Sequence, residues 1–373
     1  MYLPIPAATF HSILNLARQV IRTQSTLPCL TCVHLAVQES LPRLLTVIAT
    51  DLDITLVKHY ALPEPAVPGT LLLPLADLAR ILPDKGTLVI IHQRTKHDVS
   101  ITAITSGAPT VHHLQTLDTK EFPDAIPPPD PATVSTTWLP AESLAALAAA
   151  RAFHSTDETR YVLNGCLMEP SAVVATDGRR ACMFLCPGPP VSIILPTKAC
   201  EILFKTRASN AILTLPLAKP ESATFAWDGI TLHTKLIAGN YPNWRQVIPP
   251  ASARQLTFAD PAPVIKFLRR LDPKGIGGAV TLTPLAECRL ELSHKDATLI
   301  TPAVFSKDTG PSAFNPAFLA DCLENVGHTF NQEDERSPAL FSTPNALAVL
   351  MPMRLATAEP IPVVTAAEVP AAA

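Results

Sequence analysis

The sequence predicts an α+β chain of three similar domains, with helices on one face and antiparallel sheets on the other. Two observations carry this. The first is a strand–proline–helix stretch that occurs three times. Its clearest copy is IILPTKACEILF, residues 193–204: a short apolar strand, a proline suited to the first helical turn, then apolar residues at helical spacing. LLLPLADLARIL (71–82) places Pro74 where Pro196 stands, and SAFNPAFLADCL (312–323) places Pro316 there. These prolines lie 122 and then 120 positions apart, too far for a solenoid repeat and right for a whole domain. The second observation is that other segments keep the same interval. Helical openings follow Pro6, Pro140 and Pro261; IATDLDITL (48–56) answers VVATDGRRACMF (173–184); and EFPDAIPP (121–128) answers YPNWRQVIPP (241–250).

In order, the first unit opens with a helix over 7–21, on which Phe10, Ile13, Leu14, Ala17 and Ile21 make one apolar stripe, with Arg18 and Arg22 off it. Strands are expected over 30–37, 44–57 and 70–74, then a helix over 75–82. A hairpin follows, pairing 87–92 with 98–104 across the polar turn 94–97. Two helices among antiparallel strands place the helices on one face. The proline-rich IPPPDP (126–131) closes the unit. The expected domains are 1–131, 132–250 and 251–355, followed by a flexible Pro/Ala-rich tail, 356–373, without helical or strand period.

Length and an apolar share of 47% suffice for two or three cores. No stretch approaches the roughly 20 apolar residues of a membrane span, and MYLPIPAATFHS lacks the basic start of a signal peptide, so the sequence reads as soluble and cytoplasmic. Cys29/Cys32 and Cys182/Cys186 invite a zinc reading. Both pairs lie in apolar, strand-like segments, however, where residues three apart face opposite ways; buried reduced thiols are expected, with no metal and no cofactor.

Formal charge is −3, yet it is unevenly placed. The six helical segments together carry +5, so the rest must carry −8. Basic helices on an acidic protein suit a surface facing nucleic acid; the plain alternative is that exposed helix faces tend to carry Lys and Arg.

Five short motifs in order give the chain a family resemblance: Arg160-Tyr-Val-Leu-Asn-Gly165, Ala175-Thr-Asp-Gly-Arg-Arg180, Leu195-Pro-x-Lys198, Tyr241-Pro-Asn-Trp-Arg-Gln-Val-Ile-Pro249 and Met351-Pro-Met-Arg-Leu355. Residues 1–355 resemble the bacterial DNA polymerase III beta subunit, the sliding-clamp family. That resemblance implies three clamp domains per chain, a head-to-tail homodimeric ring around duplex DNA, and sequence-independent sliding. It also implies a peptide pocket for the DNA polymerase III catalytic subunit, the clamp loader and other proteins with clamp-binding motifs. Carried over by position, the pocket is lined by Leu163, Thr176, Gly178, Arg179, Arg180, Pro242, Val247, Val349, Met351, Pro352 and Met353. The DNA-facing cations would be Arg22, Lys198, Lys205, Arg207, Lys266, Arg269 and Arg270. The dimer contact would use the edge around Val111–Leu114 and the helix end near Leu271.

The chain departs from the family where Arg179, Arg180 and Ala181 replace the usual His-Arg-Leu, where Gln24 replaces a DNA-contacting Arg, at Leu75-Ala-Asp77, and in the added tail. A diverged clamp paralogue serving a specialised polymerase is therefore an alternative. A metal-dependent enzyme is the rival class, with Asp51 and Asp53 on one strand face as a carboxylate pair. The second repeat has Arg179 in place of the second acid, and no GxxxxGK, HExxH or nucleophile elbow occurs, so no catalysis is expected. For the tail two readings stand: a disordered, inert extension, or one whose Ile361-Pro-Val-Val364 folds back and competes modestly with partners.

Overall fold

The computed structural model describes residues 1–81, 88–105, 108–124, 126, 130–250, 252–271, 278–295, 297–307 and 309–354. The tail and its Ile361–Val364 cluster lie outside the described residues. One order of elements recurs three times: a strand, a helix, four strands, a helix, three strands. The helices are α1 (Ala7–Ala17) and α2 (Leu75–Ile81), α3 (Ala141–Ala150) and α4 (Thr197–Lys205), then α5 (Pro261–Leu271) and α6 (Pro316–Asn325).

Proline opens these helices in two ways. Pro6, Pro140 and Pro196 are cap residues with extended backbone, ending the preceding strand, rather than first helical residues as the sequence suggested. A proline φ fits both a strand end and a cap, and its missing N–H leaves no donor unpaired. Pro316 does sit at the first helical position, behind Asn315, whose Oδ1 accepts from Phe318 N at 3.0 Å.

Contacts divide the chain into two compact units: Met1–Asp177 with Phe184–Pro242, and Gly178–Met183 with the chain from Asn243 on. In the first unit a four-stranded antiparallel sheet runs Tyr2–Pro6, Leu88–Gln93, Asp98–Ile104, Thr110–Gln115. An eight-stranded antiparallel sheet runs Gly69–Pro74, Cys32–Val37, Leu44–Thr50, Ile54–Ala61, Ile230–Lys235, Ser222–Trp227, Ala211–Pro216, Val134–Leu139. Its middle seam, Ile54–Ala61 against Ile230–Lys235, hydrogen-bonds the first sequence repeat to the second, with Leu56 opposite Leu232. The two repeats therefore share one sheet and one compact unit, and the boundary expected at 131/132 falls inside it.

The structure corrects several sequence expectations here. The strand expected over 44–57 is two strands joined by a turn at 51–53, in which Leu52 takes a left-handed φ of 77°. Asp51 and Asp53 thus share no strand face: the Asp51 carboxylate accepts from the backbone N–H of Asp53 and Ile54, while Asp53 pairs with Lys235 at 3.0 Å. The carboxylate-pair reading falls with that geometry. α1 stops at Ala17 because the N–H groups of Gln19 and Val20 turn to carbonyls three residues back, tightening the chain out of the helix. Cys29 lies in a 3-10 turn, Pro28–Thr31, not a strand. It packs with Leu30, Cys32 and Leu72 in an apolar cluster, and burial pushes the Cys32 thiol up to about 11, the protonated state a packed thiol prefers.

In the second unit eight antiparallel strands run Ala346–Leu350, Ala339–Thr343, Thr329–Asn331, Gln255–Phe258, Ala297–Phe305, Arg289–His294, Val280–Leu285, Ser312–Phe314. α5 and α6 pack on one another. Phe330 centres the core, with ring centroids 5.2 Å from Phe341, 5.8 Å from Phe314 and 6.4 Å from Phe258.

Leu232→Ala, at the fully buried seam, is expected to lower the first unit's stability by about 3 kcal/mol. Urea unfolding followed by hydrogen exchange checks it: slow amides of 54–61 and 230–235 should lose protection while those of 339–350 keep theirs.

Two histidines set a pH dependence in the same unit. His34 stacks on Phe122 at 5.0 Å, His233 bonds Thr224 at 2.8 Å, and burial lowers both imidazole pKa values. The unfolded chain, with an ordinary pKa of about 6.5, then binds more protons below that pH. Stability of the first unit should fall as pH drops from about 7 to 5, and a His34→Phe, His233→Phe double substitution should flatten that fall in unfolding midpoints.

Candidate nucleic-acid interface and partner groove

The seven DNA-facing candidates fall into two classes once their neighbours are known. Lys198, on α4, points its ammonium at Asp51 Oδ2 (2.5 Å) and at the Val20 carbonyl (3.0 Å). Asp51 is 5% exposed, and Arg22 Nε lies 3.8 Å from it at the rim. Lys198 is therefore a staple from α4 to the end of the α1 segment and the 51–53 turn. Arg269, on α5, is likewise engaged: Nη2 reaches Asp321 and Glu324, each at 2.5 Å, and Nε reaches Glu324 at 3.1 Å. Its hydrogen bonds to Glu324, then to Asp321, hold the guanidinium more firmly charged than usual.

The other class is open. Lys205 makes only an exposed i,i+4 pair with Glu201 at 3.2 Å, worth a few tenths of a kcal/mol. Arg22 is 68% exposed. Arg207 ends α4's turn at a left-handed φ of 56° and is exposed. Lys266 and Arg270, one turn apart on α5, are exposed with no ion pair among the described residues, while Val264 and Leu268 of that helix are buried.

The groove candidates divide between the units. Leu163, Thr176 and Pro242 belong to the first. Leu163 ends a 3-10 turn, its carbonyl accepting from Ser155; Thr176 N–H donates to the Tyr241 hydroxyl at 3.1 Å; Pro242 is exposed. Gly178, Arg179, Arg180, Val247, Val349, Met351, Pro352 and Met353 belong to the second. Gly178 has a φ of 84°, which a side chain would strain, so this position needs glycine for its backbone. Met351 N–H donates to the Arg179 carbonyl at 3.0 Å, and Met353 N–H to the Ala313 carbonyl at 2.7 Å. That leaves the Met351 and Met353 side chains exposed, beside the exposed but separate Val247. Val349 (4% exposed) and Arg180 (8%) do not present open surface. Arg180 is ion-paired with Asp321 and stacked on Phe318 with its guanidinium carbon 3.9 Å from the ring centroid. Arg180, expected to line the pocket, is a nearly buried side chain.

Asp51, Asp321, Phe318 and Tyr241 were missed by sequence reasoning. For Asp321 a signal existed: α6's segment carries −2 amid otherwise neutral or basic helices. Two cavities, of about 230 and 310 Å³, lie on the eight-stranded sheet beside Ile126, the larger also lined by Phe122, Pro123 and Asp124, and contain none of these residues.

With this geometry in view, the likenesses to known proteins can be placed. A family model described as "DNA polymerase III beta subunit, N-terminal domain" matches residues 1–127. Over that first third, the chain is similar to the DNA polymerase III beta subunit family. The beta sliding clamp of Pseudomonas putida is 28% identical over 250 residues, a match spanning 63% of this chain and only 65% of that protein. The beta sliding clamp of Caulobacter vibrioides is 24% identical over 382 residues, covering 95% of this chain and all of that one. Among solved structures, a DnaN sliding clamp from Bartonella birtlesii bound to griselimycin aligns with a TM-score of 0.79 at 24% identity, over 95% of this chain and 100% of that one. The fold is the sliding-clamp fold: α+β, helices paired repeat by repeat against antiparallel sheets.

The Lys198–Asp51 staple yields a stability prediction. Asp51→Ala removes the partner of Lys198 and two backbone N–H acceptors at once and should cost about 2 kcal/mol, discounted because Lys198 is 35% exposed. Lys198→Met, which leaves Asp51 its backbone donors and Arg22, should cost about half that. Urea midpoints of the two variants read the difference.

Proposed function

We propose that the chain is a DNA sliding clamp, a processivity factor that encircles duplex DNA and tethers partners without catalysing a reaction. The observation that carries this is a threefold strand-and-helix repeat on the clamp fold, with exposed cations on helices after a charge-neutral or acidic remainder. Helices that touch phosphates without entering a groove hold DNA and read no sequence. Closure of the ring, not affinity, then keeps the protein on DNA, so weak contact is an advantage and no nucleotide or cofactor is required.

The division into domains 1–131, 132–250 and 251–355 remains our proposal for the repeating unit, supported by the recurring element order. Two chains would close head to tail. The edge strand Thr110–Gln115, with Val111 exposed, is one contact. The other is the helix end near Leu271, to which we add Ala297–Thr301, paired on one side with the Arg289–His294 strand and without a ladder partner on its other side among the described residues. Ile300 is exposed there. Each edge offers free backbone donors and acceptors to the other, as β-augmentation requires. A dimer at micromolar concentration in sedimentation equilibrium is expected; a monomer there would count against the ring.

The ion pairs of Lys198 and Arg269 support a narrower reading of the DNA track, in which Arg22, Lys205, Arg207, Lys266 and Arg270 are the phosphate neighbours. Lys266→Ala with Arg270→Ala should weaken binding to every duplex sequence alike and flatten the log–log salt slope by up to about 2 units. Lys198→Met and Arg269→Met should leave the slope nearly unchanged. Fluorescence anisotropy across a salt series on two unrelated duplexes decides it.

The partners we assign are duplex DNA, the DNA polymerase III catalytic subunit, the clamp loader and other proteins with clamp-binding motifs, all in the cytoplasm. Among the described residues no helix is long and apolar enough to cross a membrane. The exposed Met351 and Met353 suit peptides with aliphatic and aromatic anchors. A second reading, a paralogue serving a specialised polymerase or modulating the main clamp, is favoured by Arg179-Arg180-Ala181 and by the low identity, 28% and 24%, to the Pseudomonas putida and Caulobacter vibrioides clamps. Replacement of the host's clamp by this chain separates the two: growth supports the general clamp, failure with a stable dimer supports the paralogue.

A further inference from the structure

The second unit holds a chain of alternating charges that joins its helix pair to its groove segment. Glu324 accepts from Arg269; Arg269 Nη2 donates to Asp321 Oδ1 at 2.5 Å; Asp321 Oδ2 pairs with Arg180. Asp321 is 9% exposed and Arg180 is 8% exposed, so neither charge is solvated by bulk water. The turn of α6 that carries Asp321 is fixed on both sides. Phe318, one turn earlier, stacks under the Arg180 guanidinium, and Asn325, one turn later, donates its amide to the Asp321 carbonyl at 2.9 Å.

The far end of the chain is the groove. Arg180 follows Arg179, whose carbonyl accepts the Met351 N–H at 3.0 Å, and Met353 N–H is held by Ala313. The position of Arg180 thus sets the position of the carbonyl on which the Met351–Met353 segment hangs. A nearly buried guanidinium that loses a charged carboxylate partner loses part of what offsets its desolvation, so its side chain and backbone must readjust.

We propose that Asp321 is a positioning residue for the second unit's half of the partner groove, acting through Arg180, and that sharing its charge with Arg269 couples this half to α5. The functional meaning rests on the clamp reading above, in which Met351–Met353 meet a partner peptide and α5 faces DNA. Because one carboxylate serves two cations, withdrawing Arg269 leaves all of its charge to Arg180. Loss of Asp321 and loss of Arg269 should therefore act in opposite directions on the groove segment. If the coupling runs through this carboxylate, and not through the Ala317 carbonyl or Glu324 that Arg269 also reaches, the effect of Arg269 should vanish once Asp321 is neutral.

The test uses the full chain and two readouts. The first is amide hydrogen exchange at Met351 and Met353, with the slow core amides of Phe314 and Leu340 as controls. Asp321→Asn is expected to speed exchange at 351 and 353 about tenfold with the controls unchanged. Asp321→Glu, which keeps the charge, should restore most of the protection. Arg269→Met should leave it intact or raise it, and the Asp321→Asn, Arg269→Met double variant should match Asp321→Asn alone. The second readout is anisotropy titration of a fluorescein-labelled peptide bearing leucine and phenylalanine anchors, where Asp321→Asn should weaken binding about tenfold and Arg269→Met should not. Unchanged protection of Met351 in Asp321→Asn, or equal loss at the control amides, overturns the positioning role. An additive double variant overturns the coupling to Arg269. If the wild-type chain does not bind the peptide while Asp321→Asn still exposes Met351, the clamp reading fails and the positioning role stands.

Discussion

The backbone ladder between Ile54–Ala61 and Ile230–Lys235 is the constraint on which the first unit's arrangement depends. Every N–H and C=O of a buried strand must find a partner, and a strand at the end of one repeat has free groups on one side. Those groups are satisfied by the last strand of the next repeat, so two sequence repeats become one eight-stranded sheet. Once that seam forms, side chains near it acquire partners far away in sequence. Asp53 meets Lys235, and Asp51 meets Lys198 across 147 positions. The helices then take their places against a sheet already fixed.

Charge use in the helices follows a related economy. A cation is useful to DNA only if it is not already neutralised, and a carboxylate that is nearly buried is stable only with a cation beside it. Asp51 and Asp321 each claim a basic side chain from a helix, Lys198 from α4 and Arg269 from α5, and Asp321 claims Arg180 as well. The remaining basic residues are exposed and few.

Much of the fold was legible because its signals are local and repeated. Proline before an apolar helical stripe marked the strand–helix junctions at Pro74, Pro196 and Pro316 within a residue, since proline's fixed φ and missing N–H leave few places for it. The turn at 51–53 was not legible: Asp-Leu-Asp continues an apolar/polar alternation, and only the Asp51 side chain capping two backbone N–H groups bends the chain there. α1's early end was equally hidden, because Val20 and Ile21 stay buried after leaving the helix and keep the stripe's period. The segments Thr176–Arg180 and Met351–Met353 stood out in the sequence as motifs, and the Met351 N–H on the Arg179 carbonyl joins them. The support of Arg180 by Phe318 and Asp321 was not legible, because that support joins residues about 140 positions apart.

The sequence by itself determined the number of repeats, their element order, the apolar faces of the helices and the total charge. Each follows from interactions within a few residues or from composition, which no later packing can change. Tertiary structure decided which charges are free. Lys198 and Lys266 look alike in sequence, each a lysine on a helix of a basic set. Only the fold brings a buried carboxylate to 2.5 Å from one and leaves the other in water. Ion pairing is fixed by distance in space, and distance in space between remote segments is what the shared sheet and packed helices impose.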